Sequence, residues 1–445
     1  MKLKELFFTF VLLGIFITGC IESPYVVSVV DKNQKVEEPE PIEESEPEPE
    51  PEIVKQLTLM VYMAADNDLE SYALQNLNQM EMAVCDNINV LVLLDRSEGY
   101  DETDGDWKDT RLFEVCKDIS GSAYIVSRRI DCPDLGLLTS DKTELDMSNP
   151  YVLKHFVEFV KKQYITDKYA LIIWGHGTGW RYSNEITDSV RAVAIDDKNA
   201  SYMKVSALGS ALRGQGLNVI GFDTCFGGVF ENVYELKNCA EFTVASPGIT
   251  PASGWDYKRL LEEISSGDFS SQTIAKQMYN SSSAKTTVFS NSRLDTLMNS
   301  FENFSKNLAL QIKNEETRRT VFNTLLATRA YKYTQYPCDM YLDIYSMAEN
   351  YAGDSNKVLA NSAEELKIAV CEAIISESDH SGYGIGIHFI PLVSSQVTAV
   401  SHSFDYIKNP ENLNQCSFIK ESEWWVPTYD GKSGSLLNKI FYSTY

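Results

Sequence analysis

At 445 residues and 44% hydrophobic composition, the chain holds more apolar material than one small core needs, which excludes a wholly disordered protein. Its formal net charge of -24 argues against a nucleic-acid partner, which requires a basic footprint. Nine dispersed cysteines without a C-x-x-C pair exclude a structural zinc site of the usual spacing.

In chain order, Lys2 and Lys4 precede an apolar stretch, 6–17, too short to span a bilayer and bounded as a signal peptide is. The stretch ends in Ile17-Thr18-Gly19-Cys20, which resembles the lipobox of bacterial lipoproteins. That resemblance implies a lipid on Cys20 and an extracytoplasmic, membrane-anchored protein; an ordinary signal peptide with a chance cysteine, or an uncleaved anchor, is the alternative. Residues 21–54 are rich in Glu and Pro and carry a good share of the negative charge. Like charges repel and proline blocks helix and sheet, so this segment reads as a solvated stalk.

The folded part opens with a predicted strand, 56–64, a helix, 69–82, and a strand, 89–95. Strand, helix and strand at this spacing form a right-handed crossover, so the sheet begins parallel. A hairpin follows over 111–115 and 123–130, with Cys116 and Cys132 flanking it as a candidate disulfide. Asn149-Pro150 begins a helix with Val152, Phe156, Val157 and Val160 at helical spacing. After it comes Tyr169-Ala-Leu-Ile-Ile-Trp-Gly-His176-Gly-Thr-Gly, a continuous apolar run of the buried parallel type. A polar stretch, 181–200, and a helix, 206–215, lead to a second such run, Leu217-Asn-Val-Ile-Gly-Phe-Asp-Thr-Cys225-Phe-Gly-Gly. A helix over 229–236, a strand over 241–245 and a loop over 246–255 follow. From 257 the pattern is mainly helical until a late strand, 382–390, that is expected to return to the main sheet.

Open α/β sheets bind ligands beyond the carboxyl ends of their strands, so the two runs bring an imidazole and a thiol to one sheet edge. A thiol is a weak nucleophile until it loses its proton, and a neighbouring imidazole serves as base and charge partner. His176 and Cys225 are therefore the candidate catalytic pair, and the amides of Gly177 and Cys225 are candidates for an oxyanion hole, aided by a helix starting just after the cysteine. A lone buried cysteine or histidine is usually packing, and Cys239, Cys371 and His388 are read that way.

Together these residues resemble the clostripain family of bacterial cysteine peptidases, relatives of caspases, legumain and gingipains. The resemblance runs from about 57 to 261, with a weaker continuation to about 391. It is carried by Met60-Val-Tyr-Met-Ala-Ala-Asp66-Asn67-Asp68-Leu69, by the His176 and Cys225 strands, by Gly254-Trp255 and by Tyr341-Leu-Asp-Ile-Tyr345. It implies a caspase-like α/β/α sandwich with a mostly parallel central sheet in 55–265 and a more helical region in 266–445. It also implies a His176–Cys225 dyad acting on peptide or protein substrates, with Asp223 selecting Arg or Lys before the scissile bond. Residues two apart on a strand share a face, which agrees with Asp223 serving the same pocket as Cys225; a structural hydrogen bond or helix cap is the alternative for Asp223. Ser253 and Trp255 are the other candidate substrate-binding residues, and Ser253 stands where many members carry an acid, so the basic preference is open to change.

Some members cut themselves between histidine and cysteine after a basic residue, which makes Arg191 and Lys198 the leading candidates here, with Arg181 and Lys204 behind them. No cofactor is required by this chemistry. Calcium is an optional ligand through Asp196-Asp197 or Asp66 and Asp68, although no loop has a calcium-binding spacing. The competing readings are a catalytically inactive peptidase fold retained as a peptide-binding surface lipoprotein, and a transpeptidase or amidase acting on cell-wall peptide.

Overall fold

Every residue of the strand β1 (Leu57–Ala65) is buried. Alternate side chains enter two different cores: Leu59, Val61 and Met63 join one cluster, and Met60, Tyr62 and Ala64 join the other. A central strand covered on both faces explains why the run is continuously apolar. The computed structural model describes residues 55–179, 193–196, 201–332, 340–375, 383–389, the isolated positions 418, 422 and 424, and 436–442.

The other strands are β2 (Ile88–Arg96), β3 (Thr110–Glu114), β4 (Arg128–Ile130), β5 (Lys168–Trp174), β6 (Val193–Asp196), β7 (Ser201–Met203), β8 (Val219–Asp223), β9 (Phe242–Ala245), β10 (Thr287–Ser290), β11 (Ala330–Lys332), β12 (Met340–Asp343) and β13 (Gly386–Phe389). Eight of them form one sheet in the order β10-β9-β8-β5-β1-β2-β3-β4. The five central strands, β9 through β2 in that order, run parallel, and the edges are antiparallel. β6 pairs with β7, and β11, β12 and β13 form a separate antiparallel sheet.

Helices α1 (Glu70–Ala83), α2 (Pro150–Gln163), α3 (Val205–Leu212), α4 (Phe230–Glu235), α5 (Tyr257–Ser265) and α6 (Ser271–Ser281) flank the main sheet. Ala73, Leu77 and Met80 of α1 pack with Leu260 and Ile264 of α5 and Ile274 and Met278 of α6 on one face. Phe156, Val157 and Val160 of α2 and Leu208 of α3 occupy the other. This is the expected α/β/α sandwich. The start of α2 is set locally: the Asn149 side chain accepts from the Tyr151 amide, and Pro150 sits in the first turn. Helices α7 (Leu294–Ala309), α8 (Glu315–Leu326), α9 (Ile344–Ala352) and α10 (Lys357–Ala373) make up most of the later chain.

Three expectations need correction. β10 lies beyond 265 yet pairs with β9, with Val288 opposite Val244, so the main sheet does not end where the helical region was expected to begin. The late strand, observed as β13, joins β12 rather than the main sheet. Among the described residues it meets the main-sheet side through a parallel bridge between Val229 and Gly386 and a hydrogen bond from the His388 amide to Glu231 Oε1 at 3.0 Å. Cys116 and Cys132 both carry free thiols. The β3–β4 register pairs Glu114 with Arg128 and Leu112 with Ile130, which puts Cys116 toward the hairpin tip and Cys132 at its open end. Cys338 and Cys416 lie outside the described residues.

Candidate active site

The β5–β8 ladder ends with Trp174 opposite Asp223. Two residues past each partner come His176 and Cys225, so parallel register alone delivers them to neighbouring loops at the carboxyl edge. Gly175 (φ +138°) turns the first loop outward. Gly177 lies flat against the second loop: a Cβ there would stand 2.5 Å from the Cys225 carbonyl oxygen and 2.7 Å from Thr224 Cβ. Only glycine permits that approach.

The His176 ring is one-third exposed, and its Nε2 lies 2.5 Å from Asp68 Oδ1. That hydrogen bond, together with the ring's charge when protonated, holds the Asp68 carboxyl below the usual carboxylate range despite some desolvation. Cys225 is half-buried, and its Sγ accepts a hydrogen bond from the Thr250 amide at 3.3 Å. The thiol in turn donates to the Thr250 carbonyl at 3.6 Å. Thr250 is itself tied down, its Oγ1 donating to the Thr224 carbonyl at 2.9 Å. Phe226 takes a left-handed conformation (φ +54°) and donates to Gly248 O at 2.8 Å, and Gly228 donates to Ser246 O at 2.7 Å. The Cys225 turn is therefore stitched along the 246–250 loop, which lies at the predicted end of the sheet. The helix expected just after the cysteine starts only at Phe230. The amides of Gly177 and Cys225, the oxyanion-hole candidates, therefore lie in loops rather than at the start of that helix.

Asp223 is 4% exposed. Its Oδ2 accepts from the Trp255 amide at 2.9 Å and the Tyr257 hydroxyl at 3.0 Å, while Oδ1 is buried without a hydrogen-bond partner among the described residues. Burial raises its pKa to about 7 against the lowering effect of those two donors. Asp223 and Cys225 do not share a face, contrary to expectation. β8 ends at Asp223, whose partners Trp255 and Tyr257 belong to the α1/α5 core, whereas Cys225 packs against the opposite cluster. Two-residue alternation stops where the ladder stops.

Trp255 is also corrected. Its indole is buried against Gly221, where a Cβ would lie 2.8 Å from the ring, so it is a core residue that reaches the site through its backbone N–H. Gly254 (φ +68°) closes the turn: its amide donates to Pro251 O at 2.9 Å, and a Cβ there would stand 2.6 Å from Asp223 Oδ2. Ser253 is exposed at the rim, its carbonyl held by Asn76 Nδ2 at 3.0 Å, and Asn76 in turn accepts from Trp174 Nε1 at 2.9 Å.

A family model for the clostripain family matches residues 61–424. The chain belongs to the clostripain family. Among curated relatives, clostripain of Hathewaya histolytica is 29% identical over 231 residues, 48% of this chain and 43% of that protein, so the chain spans less than half the length of the curated relative it matches. Among solved structures, an inactive zymogen C11 protease from Parabacteroides distasonis superposes with a TM-score of 0.55 at 17% identity, over 82% of this chain and 98% of the other. A secreted C11 cysteine protease from Bacteroides thetaiotaomicron, in complex with an irreversible peptide inhibitor, superposes with a TM-score of 0.55 at 20% identity, over 81% and 98%. These two likenesses establish the fold.

The family match runs past the expected continuation to residue 424 and, like that continuation, takes in the three-stranded sheet. From that sheet Tyr341, 3% exposed, donates to Thr178 O at 2.9 Å, with its ring 5.3 Å from Phe226. It touches the loops after both candidate catalytic residues. The Tyr341 motif was visible in the sequence, its target was not. Thr250, Asn76 and Tyr257 carried no motif and were missed. Asp66 and Asp68, expected together as calcium ligands, part company: Asp68 faces His176, while Asp66 groups with Asp95 and Glu144, one carboxylate oxygen of each within 4.8 Å of the others. Calcium takes six to eight oxygens, so one oxygen from each member of this trio would supply three of them. Asp197, Arg181, Arg191, Lys198 and Cys20, and the side chain of Asp196, lie outside the described residues; Lys204 caps the start of α3.

Proposed function

We propose that this clostripain-family protein is a cysteine endopeptidase in which His176 and Cys225 act as a dyad on peptide or protein substrates. The observation that carries the reading is the β5–β8 register, with Gly177 pressed onto the Cys225 carbonyl. The thiolate attacks the scissile carbonyl, forming an S–C bond, and His176 holds the thiol proton. The tetrahedral oxyanion takes hydrogen bonds from the Gly177 and Cys225 amides. The C–N bond then breaks as His176 passes its proton to the leaving amine, and water hydrolyses the thioester. No step calls for a cofactor.

Asp223 is the proposed selector of Arg or Lys before the cut. Although Asp223 is held by Trp255 and Tyr257 on the side away from the Cys225 cluster, its buried Oδ1 has no hydrogen-bond partner among the described residues and is the kind of group a guanidinium satisfies well. The exposed Ser253 in place of an acid favours a weaker or shifted preference. Lipidation of Cys20 would hold the enzyme outside the cytoplasm of a bacterium on the 21–54 stalk. Maturation by a cut after Arg191 or Lys198 is supported by position between the two catalytic residues and by the zymogen relative. No helix of the described residues is long and apolar enough to cross a membrane.

The test is hydrolysis of fluorogenic peptides bearing Arg, Lys, Asn or Asp before the cut, on wild type and Cys225→Ala. Cleavage after Arg or Lys that disappears in the variant is the expected result. Absence of cleavage together with no alkylation of Cys225 by iodoacetamide in the folded protein would instead favour the catalytically inactive, peptide-binding reading.

A further inference from the structure

We propose that Asp68 is a positioning residue for His176, fixing the tautomer in which Nδ1 is the basic nitrogen and supporting the imidazolium that forms during turnover. The inference rests on the peptidase reading above. Its geometric basis is the 2.5 Å contact between Nε2 and Asp68 Oδ1. If Nε2–H donates to that carboxylate, the lone pair sits on Nδ1, and the second nitrogen of the ring is the one left to exchange a proton with sulfur.

Asp68 is placed there by a third strand end. β1 is the neighbour of β5, with Met63 opposite Trp174, and the chain leaves β1 through a turn built on Asn67. Asn67 is 1% exposed; its Nδ2 donates to Ala64 O at 3.1 Å, and its Oδ1 accepts from the Leu69 amide at 3.0 Å. The buried asparagine anchors the turn, so the residue after it is presented over the sheet edge. Asp68 itself is 64% exposed, and an ion pair so open to water contributes little to folding. Among the described residues, His176 makes its ion pair with Asp68, while Asp66 turns to Asp95 and Glu144. During turnover Asp68 stays ionised. The thiol proton passes to Nδ1 and from there to the leaving amine, and the carboxylate gives up no proton.

The test compares wild type, Asp68→Asn and Asp68→Ala on two readouts: kcat and KM with the Arg peptide, and the pH dependence of Cys225 alkylation by iodoacetamide. Loss of the carboxylate weakens the imidazolium and with it the thiolate. The expected results for Asp68→Ala are kcat lower by about 10- to 100-fold with KM within about twofold, and an acid limb of alkylation moved up by about one pH unit. Asp68→Asn keeps an acceptor without the charge and should fall between, at wild-type thermal stability. Kinetics and alkylation profile both unchanged in the two variants would overturn the proposal. If wild type cleaves none of the peptides, the peptidase reading fails separately, and the alkylation profile still decides the role of Asp68: a shifted limb supports it, an unshifted one removes it.

Discussion

The strand ends that carry His176 and Cys225 and the small sheet that carries Tyr341 reach the same two loops by different physics. β5 and β8 are apolar runs buried on both faces and locked into a ladder by their neighbours. β11, β12 and β13 are three or four residues long and gather around one buried carboxylate. Asp343 accepts from the Tyr331 hydroxyl at 2.7 Å, the Gly384 amide at 3.0 Å and the Ser346 amide at 2.9 Å. Burial raises the Asp343 pKa against those donors. Apolar registry therefore sets where His176 and Cys225 are, and a polar hub backs the loops that follow them.

That contrast can be broken from either side. Asp343→Ala strands three donors in the interior and should cost about 2–4 kcal/mol, read as a large fall in thermal midpoint. A loss as small as a surface change would mean the hub is not what holds the small sheet. Gly177→Ala attacks the other region, because its new Cβ collides with backbone rather than a movable side chain. We expect about 1–3 kcal/mol of destabilisation and near-complete loss of peptide cleavage. Unaltered activity would show that the two loops are not in contact as described.

Asp223→Asn keeps an acceptor for Trp255 and Tyr257 but removes the charge. A folded-state pKa raised to about 7 means the protonated form stabilises the fold, an advantage complete below the ordinary Asp value of 3.8 and lost as pH rises through 7. The variant should therefore gain thermal midpoint relative to wild type between pH 5 and pH 8, by about a few degrees, while losing preference for basic substrates. A difference that is flat with pH would refute the buried-carboxyl account. The smallest effect is expected for Tyr341→Phe. It removes one hydrogen bond to Thr178, worth about 0.5–1.5 kcal/mol, and should lower kcat a few-fold with KM unchanged. An equal change in both constants would place Tyr341 in substrate binding instead.

The same contrast explains what the sequence disclosed. The β1, β2, β5 and β8 runs were readable because continuous apolar segments bounded by polar or glycine positions have few other uses, and α2 announced itself through Asn149 and Pro150. β10, β11 and β12 were hidden in a stretch read as helical. Each is too short for a period to register, and each depends on a partner supplied by tertiary docking. At the site, residue type was legible and partnership was not. Asp68 stood in a recognised motif, yet the histidine it meets lies 108 positions away. Trp255 belonged to another motif, but only the packed structure shows its indole in the core and its amide on Asp223.

The β5–β8 ladder has one more consequence. Its two strands are held by hydrogen bonds and side-chain packing rather than by the polypeptide that connects them. Severing that connection would therefore leave imidazole and sulfur where they are and convert the chain into two fragments that migrate together until a denaturant separates them.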